Sequence, residues 1–335
     1  MRRLALGLLL TAACGTDYGQ STQSLAFGPY MVGPSEEVTT DCVQITLHNA
    51  DPLFVNQVEL TTGTGFHHSN WFFVPEHEFA GDDGTFTCSD RNFDQAVAAI
   101  FGGVLFAQST QSPHEIQAFP EGAAVEVPPN SKLVAQIHLL NPTDGTVSIS
   151  PTIGLTPIPE AQVTTLLNGV SFENQSLALP PHAQSSFGLE CDIATKHQAV
   201  FGRPPDFNLY YGLAHYHALG TGLTIEAVKD DGTVTPVFTT AARVGDTLGG
   251  PIDPAFSMVG YSKLRFSCDY TNPRDQTVVW GNGDQEMCVF LAFSDSPDLW
   301  AGGVTSVDAP GDPTDVNNVM TYQHACTVFA NDAAR

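Results

Sequence analysis

The chain has 335 residues, 42% of them apolar, and it carries 36 acidic but only 12 basic side chains, a formal net charge of −24. Such a surface repels nucleic acids and anionic membranes, so neither is an expected partner. The apolar content is sufficient for packed cores, and the length allows two domains of roughly 150 residues each.

The start of the chain resembles a secretion signal. Two arginines and an apolar run precede Ala12-Ala13-Cys14, and small residues before a cysteine are typical of bacterial lipoprotein signals. Cys14 would then be the lipidated first residue; the alternative is an ordinary signal peptide cleaved nearby. We predict a signal over residues 1–14, a polar tether over residues 15–25, and an exported protein of the cell envelope. No later apolar run approaches the roughly 20 residues that span a bilayer, so the lipid is the only expected membrane contact.

The cysteine content supports export. The chain contains seven cysteines, and an even number remains when Cys14 is set aside. In an exported chain an even number indicates disulfides rather than thiolate ligands, but spacing alone does not choose among the pairings. The remaining cysteines are Cys42, Cys88, Cys191, Cys268, Cys288 and Cys326.

Beyond residue 25 the chain is rich in Gly and Pro, which favours short strands over long helices. Residues 90–101 are the best helix candidate, with a strand and turn as the alternative. Residues 132–138 and 262–270 alternate apolar and polar side chains, the period of a half-buried strand. A similar run over residues 223–227 leads to Asp231-Gly232, a hairpin signal. These patterns predict an all-β fold of antiparallel sandwich type.

Prolines crowd residues 151–159. Proline lacks the N–H donor of a strand ladder and restricts the residue before it, so we expect this segment to be extended and difficult to pair in the centre of a sheet. We place a domain boundary here, which divides the body into domains 26–157 and 158–335.

Five histidines and one methionine are the candidate metal ligands. His215 and His217 are two apart, so both rings can reach one ion from the same face of a strand. His67 and His68 are adjacent and would face opposite ways unless the strand bends, which upstream glycines permit. The full set is His67, His68, His138, His215, His217 and Met287.

These ligand types favour copper. Neutral imidazole suits both of its oxidation states, and a thioether favours Cu(I). We predict two copper ions per chain, in sites of unequal softness. The first half of the chain offers three of the candidate histidines, and the second half offers two with the methionine. One site would suit electron storage and the other dioxygen binding. The motifs Gly-x-Ser-x-Gly, HExxH and the P-loop are absent, so no rival nucleophile or phosphate site competes.

The motifs around these residues resemble the copper type II, ascorbate-dependent monooxygenase family, which includes peptidylglycine α-hydroxylating and dopamine β-monooxygenases. The resemblance covers most of the chain, from about residue 26 to residue 329, and the order and intervals of the motifs agree. They are Phe66-His67-His68, Gln136-Ile137-His138-Leu139-Leu140-Asn141-Pro142, His215-Tyr216-His217-Ala218-Leu219-Gly220 and Asp284-Gln285-Glu286-Met287-Cys288.

The resemblance implies two tandem β-sandwich domains of jelly-roll type, one copper each, facing across a wet cleft. It implies hydroxylation of a C–H bond in a small-molecule or peptide substrate, with O₂ and ascorbate or a similar reductant, by a protein that we expect to be a monomer. The electron-storing copper would be held by His67, His68 and His138. The catalytic, O₂-binding copper would be held by His215, His217 and Met287. The implied disulfides are Cys42–Cys88, Cys268–Cys288 and Cys191–Cys326.

Four positions depart from the family pattern. Ser69 replaces the usual Met after the paired histidines. Leu213, Val289 and Leu291 replace the Arg, Asn and Tyr of the peptide-hydroxylating members, so we do not expect amidation of glycine-extended peptides and predict a less polar pocket. Two alternatives stay open: a non-catalytic copper-binding or copper-buffering surface lipoprotein, and a recognition module whose histidines are relics.

Overall fold

The structure is a computed structural model that describes residues 21–308 and 310–331. The predicted lipidation site Cys14 and the predicted signal over residues 1–14 lie outside the described residues. The last residues of the predicted tether belong to the first strand, which begins at Gln23. Within the described part, no helix is long and apolar enough to cross a membrane.

The fold is all-β and of sandwich type, as predicted. The strands up to residue 166 form the N-terminal sandwich: β1 (Gln23–Ala26), β2 (Tyr30–Val32), β3 (Glu37–Thr46), β4 (Leu53–Thr61), β5 (Phe66–Pro75), β6 (Gly84–Thr87), β7 (Gly103–Ala107), β8 (His114–Ala118), β9 (Ala123–Val127), β10 (Ser131–Leu140), β11 (Val147–Ile149), β12 (Thr152–Ile158) and β13 (Thr165–Leu166). This part also contains helix α1 (Gln95–Phe101) and 3-10 turns at Cys88–Arg91 and Glu160–Gln162.

The strands from residue 168 onward form the C-terminal sandwich. They are β14 (Asn168–Asn174), β15 (Ala178–Leu179), β16 (Ala183–Asp192), β17 (Asn208–His215), β18 (Gly220–Val228), β19 (Val234–Thr240), β20 (Gly249–Ser257), β21 (Lys263–Asn272), β22 (Val278–Val279), β23 (Val289–Ser294), β24 (Leu299–Val304), β25 (Thr314–Val316), β26 (Val319–Ala325) and β27 (Thr327–Asn331). Helix α2 (Ile193–Phe201) follows β16.

Each sandwich has two large sheets. The N-terminal sandwich pairs a six-stranded sheet, β1-β12-β4-β9-β13 with β8 on β4, with a five-stranded sheet, β6-β3-β10-β5-β7. The C-terminal sandwich has two six-stranded sheets, β20-β17-β23-β14-β24-β27 and β19-β18-β21-β16-β26-β25. The strand pairs are antiparallel apart from β9/β13, β14/β24 and β16/β26. The strand that ends at Leu166 pairs within the N-terminal sandwich, and the strand that begins at Asn168 pairs within the C-terminal sandwich. This change of partner lies later in the chain than the boundary predicted near residue 158.

The patterns of period two correspond to strands. Residues 132–138 lie in β10, and the 262–270 pattern corresponds to β21. The predicted hairpin is formed by β18 and β19, and its turn contains Gly232 with φ of +84°, a conformation that favours glycine. The helix predicted over residues 90–101 is present only in its second half, as α1. The helix begins there because the side chain of Asp94 caps it by accepting the N–H of Val97.

The proline-rich segment pairs more fully than expected. β12 lies between β1 and β4, so the prediction that residues 151–159 would not pair centrally is wrong. The pairing with β1 ends at Leu155, and Pro157 lies at a register shift in the pairing with β4. At such a position the missing N–H of a proline is tolerated.

The two sandwiches pack directly on each other. The core of the N-terminal sandwich includes Leu213 of β17 and Phe293 of β23, which belong to the C-terminal sandwich. Val104 of β7 fills the space beside Gly169 of β14, where a Cβ atom would lie only 2.6 Å from the Cβ of Val104. The relative position of the sandwiches is therefore set by close side-chain packing.

The three implied disulfides are confirmed: Cys42–Cys88, Cys191–Cys326 and Cys268–Cys288. The last joins β21 to the residue before β23, directly after Met287. Disulfides are typical of oxidising compartments outside the cytoplasm, which is consistent with the predicted export.

Candidate metal centre

His67 and His68 lie at the start of β5, where the strand bulges. His68 is opposite His138 on β10, but the next pair is Phe66 with Leu139, so the register skips His67. A bulge of this kind breaks the strict alternation of a strand, which lets adjacent side chains approach one site.

Gly65 makes the bend before the bulge possible. Its φ is +95°, in the region that favours glycine, and a Cβ there would lie 2.6 Å from Cγ2 of Val147. The predicted bend is therefore present.

The rings of this first set are close together. The centroids of His67 and His138 are 4.4 Å apart, and those of His68 and His138 are 5.0 Å apart. Nε2 of His138 lies 2.8 Å from the Oε1 atom of Glu37 and, facing a carboxylate acceptor, donates the hydrogen bond. Nδ1 of His138 then faces Nε2 of His68 at 3.3 Å.

The second set is held by the loop that contains Met287. β17 ends at His215, so His217 lies just beyond the strand rather than within it. The buried carboxylate of Glu286 accepts the backbone N–H of His217 at 2.8 Å and that of Leu219 at 2.7 Å. These bonds fix the backbone of the two-histidine motif against the residue that precedes Met287.

Hydrogen bonds at Nδ1 set the tautomers of both histidines in the second set. The hydroxyl of Thr110 donates to the carbonyl of Tyr216 at 2.8 Å, so its lone pair accepts the Nδ1–H of His215 at 3.2 Å. The carbonyl of Gln285 accepts the Nδ1–H of His217 at 2.8 Å. Each ring therefore presents Nε2 with a free lone pair, the arrangement in which a second group orients a metal ligand.

The backbone around Met287 is anchored by a hydrogen bond and a disulfide. The carbonyl of Met287 accepts the hydroxyl of Tyr270 at 2.5 Å, and the disulfide at Cys288 ties the next residue to β21. Met287 and His215 line one cleft, whose volume is about 890 Å³ and whose walls come from both sandwiches.

The two sets of histidines touch. The ring of His68 stacks on that of His215, with centroids 4.5 Å apart and planes inclined by 15°, and the ring of His67 lies 5.2 Å from that of His217. The resemblance implies two sets separated by a cleft; here they adjoin, and the cleft lies beside them. We call these four residues and His138 the histidine cluster.

Burial favours the uncharged form of every ring in the histidine cluster. Burial lowers the pKa of every ring in it, to about 2 for His67, where neighbouring histidines add to the effect. The hydrogen bond from His138 to Glu37 only partly opposes burial, as does that from His217 to Gln285. Neutral imidazole is the form that binds a metal.

The donor set fits copper. Within the histidine cluster, four rings have buried nitrogens without hydrogen-bond partners: Nδ1 and Nε2 of His67, Nδ1 of His68, and Nε2 of His215 and of His217. Among the described residues, His197, outside the cluster, shares this property at both ring nitrogens. Each such atom costs about 1–3 kcal/mol, which metal ligation would recover. As placed, no group of three or more His, Cys, Asp or Glu in the described chain could hold a metal ion. The rings pack on one another, so ligation would require them to turn.

The sequence did not identify the groups that orient these ligands. Thr110 and Glu37 are remote from the motifs, and only the fold brings them to His215 and His138. Glu286 lies inside a quoted motif, but its role depends on burial that no local pattern shows. Ser69 is buried, where its hydroxyl accepts the indole N–H of Trp71 at 2.9 Å.

No protein-family model matches the chain, and no curated protein matches it. Several solved structures are similar at low scores. The major capsid protein P2 from Bacteriophage PM2 has a TM-score of 0.29 at 8% identity, covering 82% of this chain and 97% of that one. The PBSX exported protein XepA has a TM-score of 0.21 at 8% identity, covering 81% and 86%. PNGF-II has a TM-score of 0.33 at 8% identity, covering 82% and 65%. Similarities at this level say nothing about function.

Proposed function

We propose that the protein is a copper-dependent monooxygenase that hydroxylates a C–H bond with O₂ and electrons from ascorbate or a similar small reductant. The observation that carries the proposal is the group of unpartnered, buried histidine nitrogens where the two sandwiches meet. One copper would be held by His67, His68 and His138, and the other by His215, His217 and Met287.

Bound copper would supply one-electron redox chemistry and a position for O₂, and the thioether of Met287 would favour Cu(I). In the overall reaction a substrate C–H bond is broken and a C–O bond is formed. RH, O₂, two electrons and two protons give ROH and water. The reductant supplies both electrons, and solvent supplies the protons.

The residues of the chain itself orient the ligands and enclose the site. Thr110 and Gln285 hold the Nδ1–H groups of His215 and His217, so that Nε2 of each ring points away from its anchor. Glu286 fixes the backbone between these rings and Met287. The cleft beside them would bind the substrate and limit access of bulk water. These anchors orient the individual ligands, and the rings of the histidine cluster would turn about them to share an ion.

We also propose export with lipid attachment at Cys14, and a monomer. Export is supported by the three disulfides. The lipid is supported by the sequence of the signal.

The test is copper stoichiometry on the purified protein, with X-ray absorption of the Cu(I) form. We expect two coppers per chain and a sulfur scatterer at one of them. Met287→Ile should remove the sulfur signal and abolish hydroxylation while copper stays bound to the first set. Met31→Ile, at a position that is 66% exposed, is the matched control and should change nothing. Retained sulfur scattering or retained turnover in Met287→Ile would refute the assignment.

A second candidate is a copper-binding or copper-buffering surface protein without catalysis. The loss of the polar residues expected at Leu213, Val289 and Leu291 favours it. O₂ consumption coupled to a hydroxylated product, with a reductant present, would exclude this candidate. Two bound coppers without O₂ consumption on any substrate screened would favour it.

A further inference from the structure

The cleft beside the histidine cluster has an apolar floor. Val289 and Leu291 are two apart on β23 and so share one face, and both line the cleft. On the neighbouring strand β17, His215 is opposite Val289 and Leu213 is opposite Leu291. The surface that leads away from the candidate ligand His215 is therefore aliphatic.

Large apolar side chains from both sandwiches continue this lining. Ile100 of α1 is 60% exposed and Phe329 of β27 is 63% exposed, yet both belong to the wall of the same cleft. Exposed apolar side chains that converge on one concavity mark a binding site more often than isolated ones do. Other apolar lining residues are Phe72, Phe93, Val104, Trp280, Leu299 and Trp300.

Three side-chain amides in the cleft are already hydrogen-bonded to one another and to the backbone. Asn70 donates to Gln95 at 3.1 Å, Gln95 donates to Gln136 at 2.7 Å, and Gln136 donates to the carbonyl of Thr39 at 3.0 Å. A polar ligand would have to compete with this chain of bonds. Among the described lining residues, the unpartnered buried nitrogens belong to His68, His215 and Trp300.

The charged groups are likewise engaged. Of the two carboxylates in the lining, Asp94 accepts the N–H of Val97 at 2.9 Å, and Glu173 accepts the side chain of Gln175 at 2.8 Å. None of the described residues that line the cleft is Lys or Arg. With a net charge of −24 on the chain, the cleft offers no partner to an anion.

We infer that the cleft binds a molecule with an extended apolar portion and no negative charge, and that such a molecule is the substrate. The volume of about 890 Å³ lies within the range of roughly 300–1,000 Å³ found for small-molecule sites. Its role as substrate rests on the proposed function, whereas the binding preference rests on the lining alone.

The test measures binding to the metal-free protein through tryptophan fluorescence, since Trp280 and Trp300 line the cleft. The probes are 1-decanol, kept below its solubility limit, and decanoate, kept below its micellar concentration. We expect a saturable change with 1-decanol, and binding about tenfold or more weaker for decanoate because its negative charge would enter without a partner. No saturation with 1-decanol, or decanoate binding as tightly as the alcohol, would overturn the inference.

Variants locate the site. Ile100→Ser and Phe329→Ser should each weaken 1-decanol binding by about fivefold through loss of apolar contact. The matched control is Val259→Ser, at a position that is 64% exposed and lies outside the lining, and it should bind as the unaltered protein does. Equal loss in the control would refute binding in the cleft. The assay contains no copper. An absence of 1-decanol binding would therefore contradict this inference alone, whereas an absence of copper binding would contradict the proposed function.

Discussion

The hydroxyl of Thr110, in the N-terminal sandwich, lies 3.2 Å from Nδ1 of His215, in the C-terminal sandwich. The residue after Thr110 also contacts the other set of histidines, because the N–H of Gln111 donates to the carbonyl of His67 at 2.6 Å. One short segment therefore touches both candidate copper sites. The geometry of the histidine cluster depends on how the sandwiches pack.

Thr110→Val should weaken copper binding at the second site. The valine is of similar size but cannot accept the Nδ1–H of His215, so the ring loses its preferred tautomer and orientation. Loss of such a partner typically reduces metal affinity by about 10–100-fold. Competition of Cu(I) with a chromophoric chelator measures the effect. Thr110→Ser keeps the hydroxyl and should retain the copper affinity of the unaltered protein. Thr235→Val, away from the cluster, should also leave the copper affinity unchanged. Unaltered affinity in Thr110→Val would show that this hydroxyl does not position the ring.

Glu286→Gln should destabilise the metal-free protein. The carboxylate accepts two backbone N–H groups, those of His217 and Leu219, and glutamine offers only one oxygen. One buried N–H group is left unpaired, at a cost of about 1–3 kcal/mol. Urea denaturation at pH 5 and at pH 8.5 measures this. Burial raises the pKa of Glu286 to about 7, so the unaltered protein loses stability relative to the variant above that pH, and the deficit of the variant should be larger at pH 5. Glu226→Gln, a surface residue beside Arg265, should cost less than about 1 kcal/mol. Equal effects of the two changes would contradict the role of Glu286.

The stability of the metal-free protein should depend on pH through Glu115. Its buried carboxyl accepts the N–H of Ser109 at 2.7 Å and the hydroxyl of Ser109 at 2.6 Å, and burial raises its pKa from 4.5 to about 7. Between these values the folded state binds the proton more tightly than the unfolded state does. This contribution to stability is therefore complete below pH 4.5 and is lost as the pH rises through 7.

The measurement is the difference in unfolding free energy between the unaltered protein and Glu115→Gln. That difference should shift by about 3 kcal/mol between pH 4.5 and 7.5, with the unaltered protein losing stability relative to the variant. The subtraction removes the contributions of other carboxylates. A difference that does not change with pH would show that Glu115 ionises normally in the folded protein.

Gly169→Ala tests the contact between the sandwiches. The added Cβ would meet Val104 at 2.6 Å, so the variant should lose about 1–3 kcal/mol of unfolding free energy to overpacking. Val104→Ala in the same chain should recover part of this loss. Gly250→Ala, where no described atom lies within 4 Å of the new Cβ, should stay within about 0.5 kcal/mol. A neutral Gly169→Ala would indicate that the sandwiches do not pack in this register.

Local sequence patterns predicted strands correctly where the alternation of apolar and polar side chains alone decides the structure. Alternation over residues 132–138 matched β10, whose Leu133, Ala135 and Ile137 enter the core. The expectation that the proline-rich segment would be difficult to pair was wrong. The cost of a missing N–H depends on which backbone group lies opposite Pro157, and the sequence alone does not show this.

The sequence by itself determined the strands at residues 132–138, 223–227 and 262–270, the hairpin turn at Gly232 and the residue types that favour copper, because each depends on neighbours along the chain. Only the tertiary structure decided that His68 stacks on His215, that Thr110 and Glu37 orient rings far away in sequence, and that an apolar cleft adjoins them. The physical reason is that these contacts arise from the register of β5 against β10 and from the packing of one sandwich on the other. Both are set by the summed burial of many side chains rather than by a local motif.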